Sequence, residues 1–333
     1  MTILITGGAG FIGSNFIRDW FQSSEEKIIN LDKLTYAGNL QNIANIDRDL
    51  KTIKGDICDQ KLVSDILSTY SPRAIIHFAA ETHVDKSIEC ANEFMHTNII
   101  GTFNLLHTTH EWFKNQPLSS QKKFRFIHIS TDEVYGSLGI NDNPFTEESP
   151  FQPNNPYAAS KAASDHVVRS YYQTYNLPII TTHCSNNYGS NQFPEKLIPL
   201  MIKKMMQGQK LPIYGDGQHI RDWLHVSDHC AAVRLILDKG RIGETYNIGG
   251  NCEKTNLEII HVLCDILDRL SPDKNQKPYS SQITFVPDRM GHDKRYAINT
   301  QKIENELGWN PKKNFFNGLQ ETAERFLYKN EKR

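Results

Sequence analysis

Short apolar runs alternate with helix-spaced stretches through the first half of the chain. The runs are Thr2 to Thr6, Lys27 to Leu31, Thr52 to Lys54, Ala74 to Ala79, Phe124 to Ser130 and Ile179 to His183. Between them, residues 11 to 22, 59 to 70, 92 to 114 and 156 to 175 carry the spacing of helices packed on one or more faces. Strands that alternate with helices in this way build a parallel sheet with right-handed crossovers. The pattern predicts an α/β fold with a doubly wound parallel sheet.

After about Ser185 the rhythm changes to segments rich in Pro, Gly and Asn, with helices expected at 195 to 207, 227 to 238, 255 to 269 and 315 to 328. This half reads as a smaller C-terminal α/β region that supplies ligand contacts. The expected division is 1–185 for a dinucleotide-binding domain and 186–333 for the substrate region. The boundary is interleaved, because the strand-like run Glu244 to Ile248 is suited to rejoin the main sheet. Ser271 to Ser281, where Pro, Ser and Lys cluster, is the one stretch expected to be floppy.

A glycine pattern follows the first strand: Gly7-Gly8-Ala9-Gly10-Phe11-Ile12-Gly13. Glycines there allow a tight turn and a close approach of backbone to a pyrophosphate, and the helix they open attracts negative charge at its N-terminus. Asp32 ends the second strand about 20 residues later, where a carboxylate binds ribose hydroxyls and repels a 2′-phosphate. Together these make a Rossmann fingerprint and favour NAD over NADP; Lys33 beside Asp32 softens that preference. Asp56-Ile57 after the third strand suits an adenine edge or, equally, a helix cap. Phe78-Ala79-Ala80-Glu81-Thr82 after the fourth lies on the ligand-binding edge of the sheet.

The chemistry concentrates in two segments. Ser130-Thr131-Asp132-Glu133-Val134-Tyr135-Gly136 closes the fifth strand, and Pro156-Tyr157-Ala158-Ala159-Ser160-Lys161 opens a helix behind an Asn155-Pro156 start. Tyr157 and Lys161, four apart, share a helix face. A phenol titrates near ~10, and an adjacent ammonium is expected to favour the phenolate, which then takes a proton from a substrate hydroxyl as hydride leaves the same carbon. Hydride transfer needs only Tyr157, Lys161 and a hydroxyl donor such as Thr131. Asp132 and Glu133 are surplus to it and indicate a further acid–base step, an elimination.

Charge and composition remove other classes. With 37 basic and 38 acidic residues, the chain has no general footprint for nucleic acid or an anionic membrane. No apolar run approaches the ~20 residues that cross a bilayer, and the chain opens directly on a strand without the regions of a signal peptide. Cys58, Cys90, Cys184, Cys230, Cys252 and Cys264 stand singly, and His77, His83 and His128 lack the spacing of metal ligands. A reduced, cytoplasmic protein without a metal is expected.

In these motifs, and in Ala79-Ala80-Glu81-Thr82-His83-Val84-Asp85, Ser185-Asn186-Asn187-Tyr188-Gly189, Arg221-Asp222-Trp223-Leu224-His225-Val226 and Asp288-Arg289-Met290-Gly291-His292-Asp293, the chain resembles the dTDP-glucose 4,6-dehydratase family of the extended short-chain dehydrogenase/reductases. The resemblance covers nearly the whole chain. It departs at Met290, usually proline, and at Ser190-Asn191, where Pro-Tyr is common. It implies NAD as cofactor, dTDP-glucose as substrate, and a homodimer through helices 92–114 and 156–175. Apolar residues on several faces of those helices, among them Phe94, Phe103, Trp112, Val168, Tyr171 and Tyr172, fit that dimer. The implied catalytic residues are Thr131, Asp132, Glu133, Tyr157 and Lys161.

By the same resemblance Gly7, Gly10, Phe11, Ile12, Gly13, Asp32, Lys33, Leu34, Thr35, Asp56, Ile57, Phe78, Ala79, Ala80, Thr82, Thr97 and Asn187 join Tyr157 and Lys161 around the cofactor. Thr82, Thr131, Asn186, Lys196, Leu197, Pro212, Ile213, Tyr214, Arg221, Asn256, Arg289 and His292 surround the sugar nucleotide, with Arg221 and Arg289 suited to its diphosphate. A nucleotide-sugar 4-epimerase shares the glycine turn and the Tyr/Lys couple but needs no pair like Asp132-Glu133. A uronic-acid decarboxylase would need a cationic pocket, and no cation stands near Thr131 in the sequence. A dinucleotide-sensing scaffold would have no use for the four reactive side chains. Thymine and uracil differ by one methyl group, so the resemblance, not physics, favours dTDP over UDP.

Overall fold

Seven apolar strands assemble into one parallel sheet. They are β1 (Thr2–Thr6), β2 (Lys27–Asp32), β3 (Leu50–Lys54), β4 (Ala74–His77), β5 (Arg125–Thr131), β6 (Ile179–Cys184) and β10 (Thr245–Ile248), in the order β10-β6-β5-β4-β1-β2-β3. The computed structural model describes residues 1–46 and 48–331. The chain runs outward in both directions from β1 and β4, so the crevice for a ligand opens between their C-terminal ends.

The inner strands are apolar because both faces are covered, whereas the edge strand β3 carries Lys51 and Lys54 exposed. In β1, Ile3 and Ile5 face a core built with Phe16, Ile17 and Trp20 of helix Phe11–Ser23 and with Val233 and Ile236 of helix Val226–Lys239. Leu4, between them, joins the opposite core with Ile66, Leu67, Leu105 and Val168. Single-residue alternation thus places two helical layers on one sheet.

The second half holds two smaller sheets. One has the order β11-β9-β7, from β7 (Asn186–Tyr188), β9 (Ile220–His225) and β11 (Glu253–Thr255); the other pairs β8 (Leu211–Tyr214) with β12 (Ile283–Val286). Helices Leu197–Met206, Asn256–Leu270 and Phe315–Glu331 close a separate core around Ile202, Ile213, Leu263 and Leu319. The run at 244–248 does rejoin the main sheet, pairing Thr245 with Thr181 and Ile248 with Cys184. Helix Val226–Lys239 also packs on the main sheet, so the chain crosses between the two units more than once.

Element boundaries fall within a few residues of expectation, with two informative differences. The segment at 92–114 is not one regular helix: Ala91–Phe94 passes into a π-helix, Met95–Gly101, before Thr102–Phe113 resumes. Inside the π segment Asn98 spends its amide on Glu81 N, Glu81 O and Ser160 Oγ at 2.8, 2.9 and 2.8 Å, tying the segment to the sheet edge and to the Tyr157 helix. A Cβ at Gly101 would lie 2.7 Å from Ile57 Cδ1, so any larger residue there would have to push the Ile57 side chain aside. The second difference concerns strands β7, β8, β11 and β12, each of three or four residues, which are too short to show a period of two.

Candidate active site

A cavity of about 500 Å³ runs from the glycine turn, over the ends of β4 and β5, to Arg289 and His292 in the second half. It is lined by every residue named above for cofactor, catalysis and substrate except Leu34. Leu34 takes a left-handed backbone (φ 56°), donates its N–H to Asp32 Oδ1 at 2.8 Å and packs its side chain on the core, which removes it from the cavity wall.

At the cofactor end, Gly7 turns the chain at φ 74°, and a Cβ there would meet Ala79 N at 2.7 Å. A Cβ on Gly10 would meet only Gly7 O, at 3.2 Å; the rest of the space it faces is cavity. Helix Phe11–Ser23 has no side-chain cap and no acid in its first turn, so its amides are ready for a pyrophosphate. Asp32 Oδ2 accepts from Ala9 N at 2.8 Å, which fixes the carboxylate beside the turn. These features fit NAD. The capping alternative for Asp56 fails, since Asp59 caps helix Gln60–Tyr70. Burial opposes the charge of Asp56, but the Cys58 N–H and the Lys33 ammonium at 2.9 Å outweigh it and hold the carboxyl below its ordinary value.

At the centre, β5 ends in Thr131 and turns through Asp132–Tyr135, while Asn155 caps helix Pro156–Tyr175 by accepting from Ala158 N at 2.8 Å. The Thr131 hydroxyl donates to Asp132 Oδ1 at 3.4 Å, accepts from Glu133 N at 3.3 Å, and lines the same cavity as the Tyr157 phenol. Asp132 is 2% exposed, and its Oδ2 is buried without a partner. Burial first, then the carboxylates of Glu133 and Asp222, push the Asp132 carboxyl well above its ordinary value, against the pull of Arg221. Burial also raises Glu133, but Arg221, Arg289 and Lys196 draw it back. Both carboxyls are raised, but the cations ease only Glu133 substantially, which suits Asp132 to the acid's part and Glu133 to the base's.

Two electrostatic expectations need correction. Tyr157 is held well above the ordinary phenol value, by burial first and then by the Glu133 charge, against a lowering pull from the Thr131 hydroxyl. Lys161 Nζ is drawn instead to Ile129 O at 2.9 Å. Second, the fold does bring cations near Thr131: Lys196, Arg221 and Arg289 all act on Glu133.

At the substrate end, Lys196 Nζ donates to Thr82 O at 2.7 Å, bridging the two halves. Arg221 is buried, donating to Ile220 O at 2.7 Å and Asp293 O at 2.9 Å, with its guanidinium 4.3 Å from the centre of the Tyr296 ring. Arg289 pairs with Asp85 at 3.3 Å and keeps a buried Nε without a partner. Of the two arginines it has the freer donor for an anion. His292 and His219 stack at 3.6 Å with 15° between their planes and share Asp288 at 2.7 and 3.2 Å. The rings lie face to face, so their in-plane nitrogen lone pairs run side by side instead of converging on one ion. His77 bonds Thr6 and Thr102, and His128 bonds Asp165. Tyr296 and His219 were not legible in the sequence, because only tertiary packing brings them to Arg221 and His292.

The state of Asp132 makes stability depend on pH. Its folded pKa lies well above that of an ordinary carboxyl, so the folded chain holds more protons than the unfolded chain between the two values. The contribution of Asp132 to stability therefore falls as pH rises through that window. Asp132→Asn should stabilise the ligand-free protein at pH ~8 by on the order of 1 kcal/mol or more, and should give little gain at pH ~3. Melting temperatures of both proteins across that range check this, and equal gains at both ends would contradict it.

Comparison with known proteins agrees with this geometry. The family model described as GDP-mannose 4,6 dehydratase matches residues 4–322. A dTDP-glucose 4,6-dehydratase from Xanthomonas campestris pv. campestris is 52% identical, covering 98% of this chain and 93% of the relative. The crystal structure of a dTDP-glucose 4,6-dehydratase from Streptomyces venezuelae, with NAD and dTDP bound, is 44% identical with a TM-score of 0.90, covering 100% of this chain and 98% of that one. A UDP-glucose 4-epimerase from Thermotoga maritima superposes nearly as well, with a TM-score of 0.87 over 99% of each chain, but at 27% identity. Fold alone does not separate the two activities, whereas the sequence identity does. The chain belongs to the dTDP-glucose 4,6-dehydratase family of the extended short-chain dehydrogenase/reductases.

Proposed function

We propose that this protein is an NAD-dependent dehydratase that converts dTDP-glucose into dTDP-4-dehydro-6-deoxyglucose. The observation that carries the reading is Asp132, buried beside Glu133 in the same cavity as Tyr157 and Thr131, with its carboxyl pushed well above the ordinary carboxylate range by that burial. When bound, NAD supplies a hydride acceptor for C4 and later the hydride donor for C6.

The chain's own residues manage the protons. Tyr157 takes the proton of the 4-hydroxyl while Thr131 hydrogen-bonds that oxygen. The new 4-ketone acidifies the hydrogen on C5, which Glu133 removes as Asp132 protonates the departing 6-hydroxyl, and water leaves. Glu133 then returns a proton to C5 as hydride reaches C6. Ligand-free, Tyr157 is a phenol, so its ionisation is coupled to ligand binding: the Lys161 ammonium has to favour the phenolate once the cavity is filled.

The glycine turn, Asp32, Lys33, Thr35, Asp56, Ile57, Phe78 to Ala80, Thr82, Thr97 and Asn187 form the cofactor half. Asn186, Lys196, Leu197, Pro212, Ile213, Tyr214, Arg221, Asn256, Arg289 and His292 form the sugar-nucleotide half, so residues up to about 185 bind mainly NAD and the remainder mainly substrate. The cations around Glu133 do not favour decarboxylation, because Asp132 and Glu133 would confront a substrate carboxylate. Among the described residues no helix is long and apolar enough to cross a membrane, which agrees with a cytoplasmic enzyme.

The dimer reading rests on a smaller surface than the sequence suggested. Phe94, Val168 and Tyr171 are consumed by the chain's own core, and Trp112 packs on Phe124. Ile100, Phe103 and Tyr175 remain exposed on the two helical segments. We infer a homodimer through these residues: scattering mass at ~10 μM should be near twice 38.1 kDa. A monomer at that concentration would remove the dimer and leave the chemistry untouched.

Purified protein incubated with dTDP-glucose should release one water per sugar by mass spectrometry. UDP-glucose should react more slowly, by about tenfold for the missing methyl. Asp132→Asn should cut water loss by ~10² or more while C4 oxidation persists. Conversion to an isomer of unchanged mass would identify an epimerase instead.

A further inference from the structure

Beneath the reacting groups lies a charged cluster that the proposed mechanism does not use. Tyr157, Lys161 and Asp165 stand at successive four-residue steps on helix Pro156–Tyr175, so Asp165 sits one turn further along the stripe that carries the hydride-transfer couple. Its carboxylate is 5% exposed. It faces His128 Nε2 at 2.9 Å, His183 Nε2 at 3.0 Å and Ser130 Oγ at 2.9 Å.

A carboxylate this deep costs several kcal/mol in desolvation, and an apolar residue of similar volume would pack there at less cost. What the anion does for the site can be read from its partners. His128 and Ser130 are in β5, and Ser130 is directly followed by Thr131. His183 is in β6 and hydrogen-bonds through Nδ1 to Tyr135 Oη at 2.6 Å, and Tyr135 closes the turn that holds Asp132 and Glu133. Tyr135 also reaches Asn247 in β10 at 3.0 Å. One carboxylate thus ties the Tyr157 helix to the ends of two strands and to the acid–base turn. It is also the carboxylate whose attraction favours the buried Lys161 ammonium, which itself touches only a neutral acceptor, Ile129 O.

We propose that Asp165 is a positioning residue for hydride transfer: its buried charge keeps Lys161 an ammonium, and its three donors lock Thr131, Asp132 and Glu133 in register with Tyr157. The inference rests on the dehydratase reading above. The other groups that interact with the Lys161 charge are the Cys184 thiol from β6 and the rings of His77 in β4 and His128 in β5; Tyr157 stands one turn before it on its own helix. Burial holds His77 well below its ordinary value and His128 down to about 4, so neither ring carries charge at neutral pH. Removing the Asp165 charge therefore leaves the ammonium without its main support, and Lys161 loses its proton at lower pH.

The test is the pH profile of kcat and kcat/KM for water loss from dTDP-glucose, with wild type run alongside. Asp165→Asn keeps the shape and removes the charge. It should move the alkaline limb of kcat down by about one unit and lower kcat ~10-fold or more at pH ~8, with much of the loss recovered near pH ~6.5, while KM changes little. Ser130→Ala removes one donor but keeps the charge, and should leave the limb in place. A wild-type limb in Asp165→Asn, or a fall in kcat that is the same at every pH, would overturn the proposal. If Asp165→Asn does not fold, Asp165→Glu retains the charge but displaces it by one methylene. It should keep the wild-type limb with kcat lowered about tenfold; an unchanged kcat would overturn the positioning role. A wild-type enzyme that fails to dehydrate dTDP-glucose would instead overturn the underlying reading.

Discussion

Two neighbouring carboxyl groups in a buried pocket cannot both be ionised at little cost, and this constraint organises the molecule. Asp132 takes the deeper position, with burial, Glu133 and Asp222 all opposing its charge. Glu133 is eased toward ionisation by Arg221, Arg289 and Lys196. One acid and one base result from two ordinary carboxylic acids, set apart by position alone. The cations come from the second half of the chain, so the acid–base pair is complete only when both halves close on the cavity.

The parallel sheet explains why such different chemistry meets in one place. All its strands deliver their C-terminal ends to the same edge: β1 ends at the glycine turn, β2 at Asp32, β4 before Phe78 and β5 at Thr131. Helix Pro156–Tyr175 brings Tyr157 and Lys161 to that edge and anchors them from below through Asp165. A UDP-glucose 4-epimerase with almost the same backbone shows that the scaffold alone does not fix the activity, which has to be argued from the side chains of the site.

Much of this was legible in the sequence because it is local. The strand rhythm, the glycine turn, the Asn155-Pro156 helix start and the Thr131-Asp132-Glu133 turn are each encoded within a dozen residues. What was not legible depends on residues far apart in the chain. The π segment at 95–101 follows from Asn98 bridging to Glu81 and Ser160. The Lys161 ammonium donates to Ile129 O, and the cations around Glu133 come from residues 196, 221 and 289. Leu34 left the cavity because its own backbone turned left-handed. Spacing along the chain carries none of this information.

The most direct test of one cavity running oxidation, elimination and reduction in sequence is the fate of a label. With dTDP-glucose carrying deuterium at C4, the account predicts a product that has lost one water and retains the deuterium, now on C6, as nuclear magnetic resonance would locate it. Deuterium still on C4, or washed out into solvent, would contradict it.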